Sequence, residues 1–263
     1  MTPKLTHAER KAWFDKNEEW GEREGNETTD ACGAWTIEPI GLDVLGDEKD
    51  HADSFTAIHE AGHAVADHVL GQTPDKVTIE PNHEEGAAGH ASQSDGDDMT
   101  EEGTRALVVA LLAGEGASLL AGEAAEIASE GAASDQDKAE EYIYWLRDTE
   151  DERVSLLRDL RDETEALLRN HWSKLGLVAR FLLKHTTLDD DDLSSLLESN
   201  DEREAEDLFE EGRALNVFRS GVSIDDLTPE QCAAINRYQE RCKEDGPKLR
   251  RAIERLSDNE RGR

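Results

Sequence analysis

His59-Glu60-Ala61-Gly62-His63 carries residue types that could do chemistry, at a spacing that lets them act together. Histidines four apart on an α-helix project only about 40° apart around the axis, so both imidazoles can reach one metal ion. A glutamate directly after the first histidine then sits where a carboxylate can take a proton from a water beside that ion. The chemistry this permits is metal-assisted hydrolysis, with His59 and His63 as ligands and Glu60 as general base.

The pentapeptide must lie on a helix for this to hold, and its flanks predict one. Asp53 or Ser54 offers an N-cap, and Ile58, Ala61, Gly62, Val65 and Val69 fall on one narrow stripe until Gly71 ends the run. Both histidines lie off that stripe, so the stripe is expected to pack into a core while His59, Glu60 and His63 face a cleft. Gly62 inside a helix costs about 1 kcal/mol relative to alanine, which predicts close approach of another element to the backbone there. The competing reading is two histidines on a surface helix with no role; the fit of the helical context weighs against it.

The chain as a whole bounds what such a site can serve. Its 263 residues suffice for one sizeable core with additions, or for two small domains. A net charge of -33 excludes a general affinity for nucleic acid or for an anionic membrane through a basic face. The acids are spread along the whole length, a charge that repels itself in dilute salt, and a salt-rich, halophilic cytoplasm is the expected setting. Full folding in low salt with no gain from molar KCl would contradict that expectation. Cys32, Cys232 and Cys242 form no C-x-x-C pair, so neither a disulfide framework nor a thiolate zinc site is indicated. The longest uninterrupted apolar run, Ala106 to Gly114, is short for a membrane span, and no charged-then-apolar signal opens the chain. The expectation is a cytoplasmic protein with no membrane and no nucleic-acid partner.

Residues 1–50 read as a partly helical segment, with Thr6 and Glu9 in capping-box spacing and Trp20 and Trp35 expected to dock on the main domain. Lys76 to Glu80 alternates as a strand, and the Gly-containing stretch from Gly86 to Ala91 is expected to lie alongside it. Thr100 caps a predicted apolar helix from about Glu101 to Leu120, and Ser134 is the predicted cap of a helix beginning at Asp135. Three further helical stretches run to about Leu197, with Asp189 to Asp192 as a helix-start charge cluster. Residues 200–263 read as an acidic helical C-terminal extension, in which Thr228-Pro229-Glu230-Gln231 is a well-formed helix start.

A catalytic zinc takes three protein ligands and keeps a fourth position for water, so the two histidines need a partner. The metzincin pattern is absent, since Ala66 and Val69 stand where its glycine and third histidine would be. His68 points about 140° away from His63 around the helix and is no candidate. Judged by its own surroundings, Asp135 is an ordinary acid at a helix start, one among 62.

Four segments, in order, resemble the peptidase domain of the FtsH-type AAA zinc proteases. They are His59 to Val65, the strand Lys76 to Pro81, Leu111-Leu112-Ala113-Gly114, and Gly131-Ala132-Ala133-Ser134-Asp135-Gln136-Asp137-Lys138-Ala139, which is similar to the family signature G-A-x-N-D-[LI]-x-x-A. The resemblance spans about residues 51–199. It implies that Asp135 is the third ligand of a Zn²⁺ held with His59 and His63, and that the substrate is a polypeptide added as a strand near Gly89-His90-Ala91. His90 itself reads as a solvent-facing strand histidine before a substrate contact. The departures are Ser118 and Leu119 in place of the family's acidic pair, Ser134 in place of its asparagine, and no G-x-x-x-x-G-K-[ST] sequence for an ATPase.

The expectation is thus a mainly α protein: a helical zinc-metallopeptidase domain over residues 51–199 with a small β element at its active-site edge, flanked by segments 1–50 and 200–263. Its expected activity is endopeptidase cleavage of unfolded or partner-delivered chains, with a separate ATPase or an oligomeric ring as the partner implied by family analogy. The alternative is a catalytically silent, zinc-stabilised adaptor that keeps the fold.

Overall fold

Small residues let the two central helices of this protein approach each other closely. The structure is a computed structural model that describes residues 35, 37–50, 52–72, 74–80, 90–91, 100–199, 202–220, 222, 226–241 and 243. Helix α1 (Ser54–Val69) and helix α2 (Glu101–Ala121) pack face to face. At their contact, a Cβ built on Gly62 would stand 2.6 Å from the Ala113 carbonyl oxygen and 2.7 Å from Ala117 Cβ. Glycine at 62 is therefore what the interhelical distance requires, as the cost of a mid-helix glycine predicts.

The chain forms two compact units, residues 1–190 and 191–263, and the described part of both is mainly helical. In the first, a 3₁₀ segment (Leu42–Asp50) precedes α1, and β1 (Lys76–Thr78) and β2 (His90–Ala91) lead to α2. Then come α3 (Ala125–Gly131), α4 (Ala133–Leu146), α5 (Glu150–Asn170), α6 (Trp172–His185) and β3 (Thr187–Asp189). The three short strands form one antiparallel sheet of order β2-β1-β3, with Val77 opposite both Ala91 and Leu188. Both β1 and β2 pack against α1.

The caps explain several boundaries. Thr100 accepts from the Gly103 N–H at 3.0 Å to start α2, and Gly122 ends it in the left-handed region at φ 95. Thr149 and Glu152 close a reciprocal capping box on α5. Helix α4 departs from expectation: it begins at Ala133, with Ala132 in the cap position, so Ser134 lies inside the first turn and does not cap it.

Helix α2 is the centre of the unit, touching α1, α3, α4 and α5. Val108, Val109, Leu111 and Leu112 on α2 pack with Ala139 and Ile143 of α4 and with Leu156, Leu157 and Leu160 of α5. Each of the valine, leucine and isoleucine side chains, fully buried, stabilises by about 1.5–3 kcal/mol. By length and composition α2 alone among the described helices could cross a bilayer; 83% of that stretch is instead buried inside the protein.

Helix α1 is buried far more widely than a single stripe. Ala57 and Ile58 are buried, as is every residue from Glu60 to Asp67, while Val69 at the end of the expected stripe is 42% exposed. Packing against several elements at once accounts for this, chiefly α2 and α6, with β1 and β2 as well. Strand β3, which seals the far edge of β1, has no counterpart in the sequence reading.

The second unit contains α7 (Asp190–Glu198), α8 (Glu202–Arg219) and a helix over residues 229–241. Arg213 on α8 holds the buried Asp192 carboxylate through Nε and Nη2, and Arg237 and Arg241 pair with the buried Glu211. Thr228 and Gln231 form the expected capping box, with bonds of 3.2 and 2.9 Å. The expected helix near Thr6 and the tryptophan at position 20 lie outside the described residues, as does the end of the extension.

Candidate metal centre

Two helices of the first unit bring His59, His63 and Asp135 together. The two histidines project from consecutive turns of α1, and Asp135 comes from the first turn of α4. A donor atom from each lies within 4.8 Å of the others. The two Nε2 atoms are 3.1 Å apart, and Asp135 Oδ2 stands 3.3 Å from His63 Nε2 and 3.8 Å from His59 Nε2. Among the described residues this is the one cluster of histidine, cysteine and acidic side chains with the geometry to hold a metal ion. His68 takes no part in it.

The orientation of His63 is set from outside the cluster. Its Nδ1 lies 2.8 Å from the Ala110 carbonyl oxygen on α2. A carbonyl can only accept, so Nδ1 carries the proton and Nε2 is turned toward His59 and Asp135. A carbonyl behind one ring nitrogen is the usual means of fixing which nitrogen binds a metal. Mid-helix carbonyls give no sign in a sequence, and the Ala110 partner was not expected.

Without a metal the three side chains hold a proton. Burial alone would push the His63 imidazole down. The hydrogen bond and charge of Asp135, the charge of Glu60 and the Ala110 carbonyl outweigh it and raise the pKa to about 9. For Asp135, burial would raise the pKa, but hydrogen bonds from both histidines and their charges hold the carboxyl well below the usual carboxylate range. Its place in the first turn of α4 favours the anion as well. The side chains of His63, His59 and Asp135 keep 10%, 14% and 19% exposure, so the cluster is largely but not fully shielded from solvent.

The donor set fits a first-row divalent ion of zinc's size. Donors on a tetrahedral zinc at about 2.0–2.1 Å lie about 3.3 Å apart, close to the separations between these atoms. Two imidazoles and one carboxylate match a hydrolytic zinc site with a fourth position left over. Gly114 on α2 faces the cluster without a side chain, and a Cβ there would lie 2.5 Å from His59 Nε2 and closer still to His63 Nε2.

Glu60 lies on α1 beside His59 and is 5% exposed, and its charge acts on His63. The sheet edge formed by β2 packs against the same helix. His90 contributes its backbone to β2, paired with Thr78; its side chain lies outside the described atoms. Ser118, where the family resemblance would have an acidic residue, is buried on α2.

No protein-family model matches the chain, and no curated protein does either.

Proposed function

We propose that this protein is a zinc-dependent endopeptidase of the FtsH-like type that hydrolyses unfolded or partner-delivered polypeptides. The observation that carries the reading is the convergence of His59 Nε2 and His63 Nε2 of α1 with an Asp135 oxygen of α4 within 4.8 Å, next to the buried Glu60 on α1. A purely structural zinc site has four protein ligands and no need of an adjacent base. That contrast favours the enzyme over a silent adaptor.

His59, His63 and Asp135 would hold the ion. When bound, it supplies Lewis-acid chemistry, lowering the pKa of a coordinated water and polarising the scissile carbonyl. Glu60 accepts the proton of the attacking water and delivers it to the leaving amine. Ala110 keeps the His63 ring in its working tautomer through the 2.8 Å contact to Nδ1. The substrate lies as an added strand on the β2 edge, held by backbone hydrogen bonds that read little sequence. The -33 net charge supports a salt-rich cytoplasm as the setting; a separate ATPase or a ring assembly that feeds the site rests on the family resemblance alone.

The test is cleavage of casein in molar KCl before and after chelation. Activity that disappears on zinc removal and returns when zinc is restored supports the reading. Cleavage indifferent to chelation, or about one tightly held zinc per chain with no cleavage, would turn it toward contamination or the adaptor respectively.

A further inference from the structure

Gly114 lies in the middle of α2, where glycine is a poor helix former. Its backbone does not require it, because its φ is not among the positive values seen at Gly41, Gly46, Gly71 and Gly122. What it faces does. A Cβ at 114 would meet His63 Nε2, His59 Nε2 and His59 Cε1, the last at 2.7 Å, and no backbone atom is among these nearest neighbours. Gly62 differs, since a Cβ there would strike the Ala113 carbonyl and force α1 and α2 apart.

Ala110 and Gly114 are four apart on α2 and share one helix face. That face meets His63 at both ring nitrogens: the Ala110 carbonyl takes Nδ1, and the bare Cα of Gly114 fronts Nε2. We propose that Gly114 is a positioning residue of the metal centre, whose missing side chain keeps open the volume between α2 and the two imidazoles where the ion binds. The inference rests on the zinc reading above. A methyl group at 114 displaces the ring ends, which can rotate, and so removes the metal site while sparing the fold.

The experiment compares the full chain with Gly114→Ala, measuring zinc per chain, zinc affinity by competition with a chromophoric chelator, and thermal unfolding of the metal-free proteins. Wild type is expected to take up about one zinc. Gly114→Ala is expected to bind about 100-fold more weakly and to remain folded, its metal-free unfolding disturbed less than that of Gly62→Ala. Equal zinc affinity in the two would overturn this inference alone. A wild type that takes up no zinc would overturn the metal reading and this inference with it. Should Gly114→Ala fail to fold, the substitution is placed in a His59→Ala/His63→Ala background. There the clash partners are gone, and alanine at 114 should be tolerated or stabilising. Failure to fold in that background would mean that Gly114 serves packing elsewhere, and would overturn the proposal.

Discussion

His63 Nδ1 sits 2.8 Å from the carbonyl oxygen of Ala110, a bond between the two most buried helices of the first unit. It commits the opposite nitrogen to the space shared with His59 and Asp135. Without a metal, burial disfavours the imidazolium, but Asp135, Glu60 and the Ala110 carbonyl outweigh it and raise the His63 pKa to about 9, which favours a proton on that nitrogen at neutral pH.

Zinc must displace this proton, because only the neutral imidazole binds metal. Binding at neutral pH should release one proton from His63, and apparent affinity should rise about tenfold per pH unit between roughly 7 and 9. Calorimetry in buffers of different ionisation enthalpy measures the release directly. A flat pH profile would show that His63 is neutral before the metal arrives.

The same pair links metal-free stability to pH. The raised pKa of His63 contributes stability that is complete below its unfolded value of 6.5 and is lost as pH rises through about 9. The lowered pKa of Asp135 contributes stability that is complete above its unfolded value of 3.8 and is lost as pH falls below it. Stability attributable to the pair is therefore greatest between pH 3.8 and 6.5. Denaturation of wild type and Asp135→Asn across pH isolates it as a difference between the two, which should shrink on either side of that window.

Gly62→Ala should cost about 1–3 kcal/mol or more, because the new Cβ meets a backbone carbonyl that cannot swing away. Urea unfolding checks this. Since Gly62 lies between the two histidines, the spread of α1 from α2 should also weaken zinc binding.

Trp35 ties the chain ahead of the 3₁₀ segment to the core. Its Nε1–H donates to Oε2 of the buried Glu115 at 2.8 Å, and the Arg161 guanidinium lies over its ring at 5.4 Å. Trp35→Phe keeps most of the packing and removes the donor, and should cost about 1–3 kcal/mol. The urea midpoint should fall with an unchanged slope.

The parts of this protein that are legible in its sequence are those with a period or a cap. The helices bearing His59 and Leu111 follow from apolar spacing and from Thr100, and the capping box at Thr228 rests on local hydrogen bonds, whereas the equally local box of Thr149 and Glu152 was not among the expectations. Position 135 is different. Nothing around it distinguishes it from the other acids, and only the ordered resemblance to a family singled it out before the structure set it 3.3 Å from His63. The Ala110 carbonyl, the broad burial of α1 and the strand Thr187–Asp189 depend on long-range packing, and a three-residue strand is too short to show a period. Gly114 left only a weak signal, as one of three glycines, with Gly103 and Gly116, inside a single helix.

The central claim is that Glu60 moves the proton in a zinc-dependent hydrolysis. The measurement that tests it most directly is casein cleavage in high salt by wild type and Glu60→Gln, with zinc content determined on the same samples. The account predicts about one zinc per chain in both proteins, with cleavage reduced by about 10²–10⁴-fold in Glu60→Gln. Cleavage at the wild-type rate by zinc-loaded Glu60→Gln would contradict it.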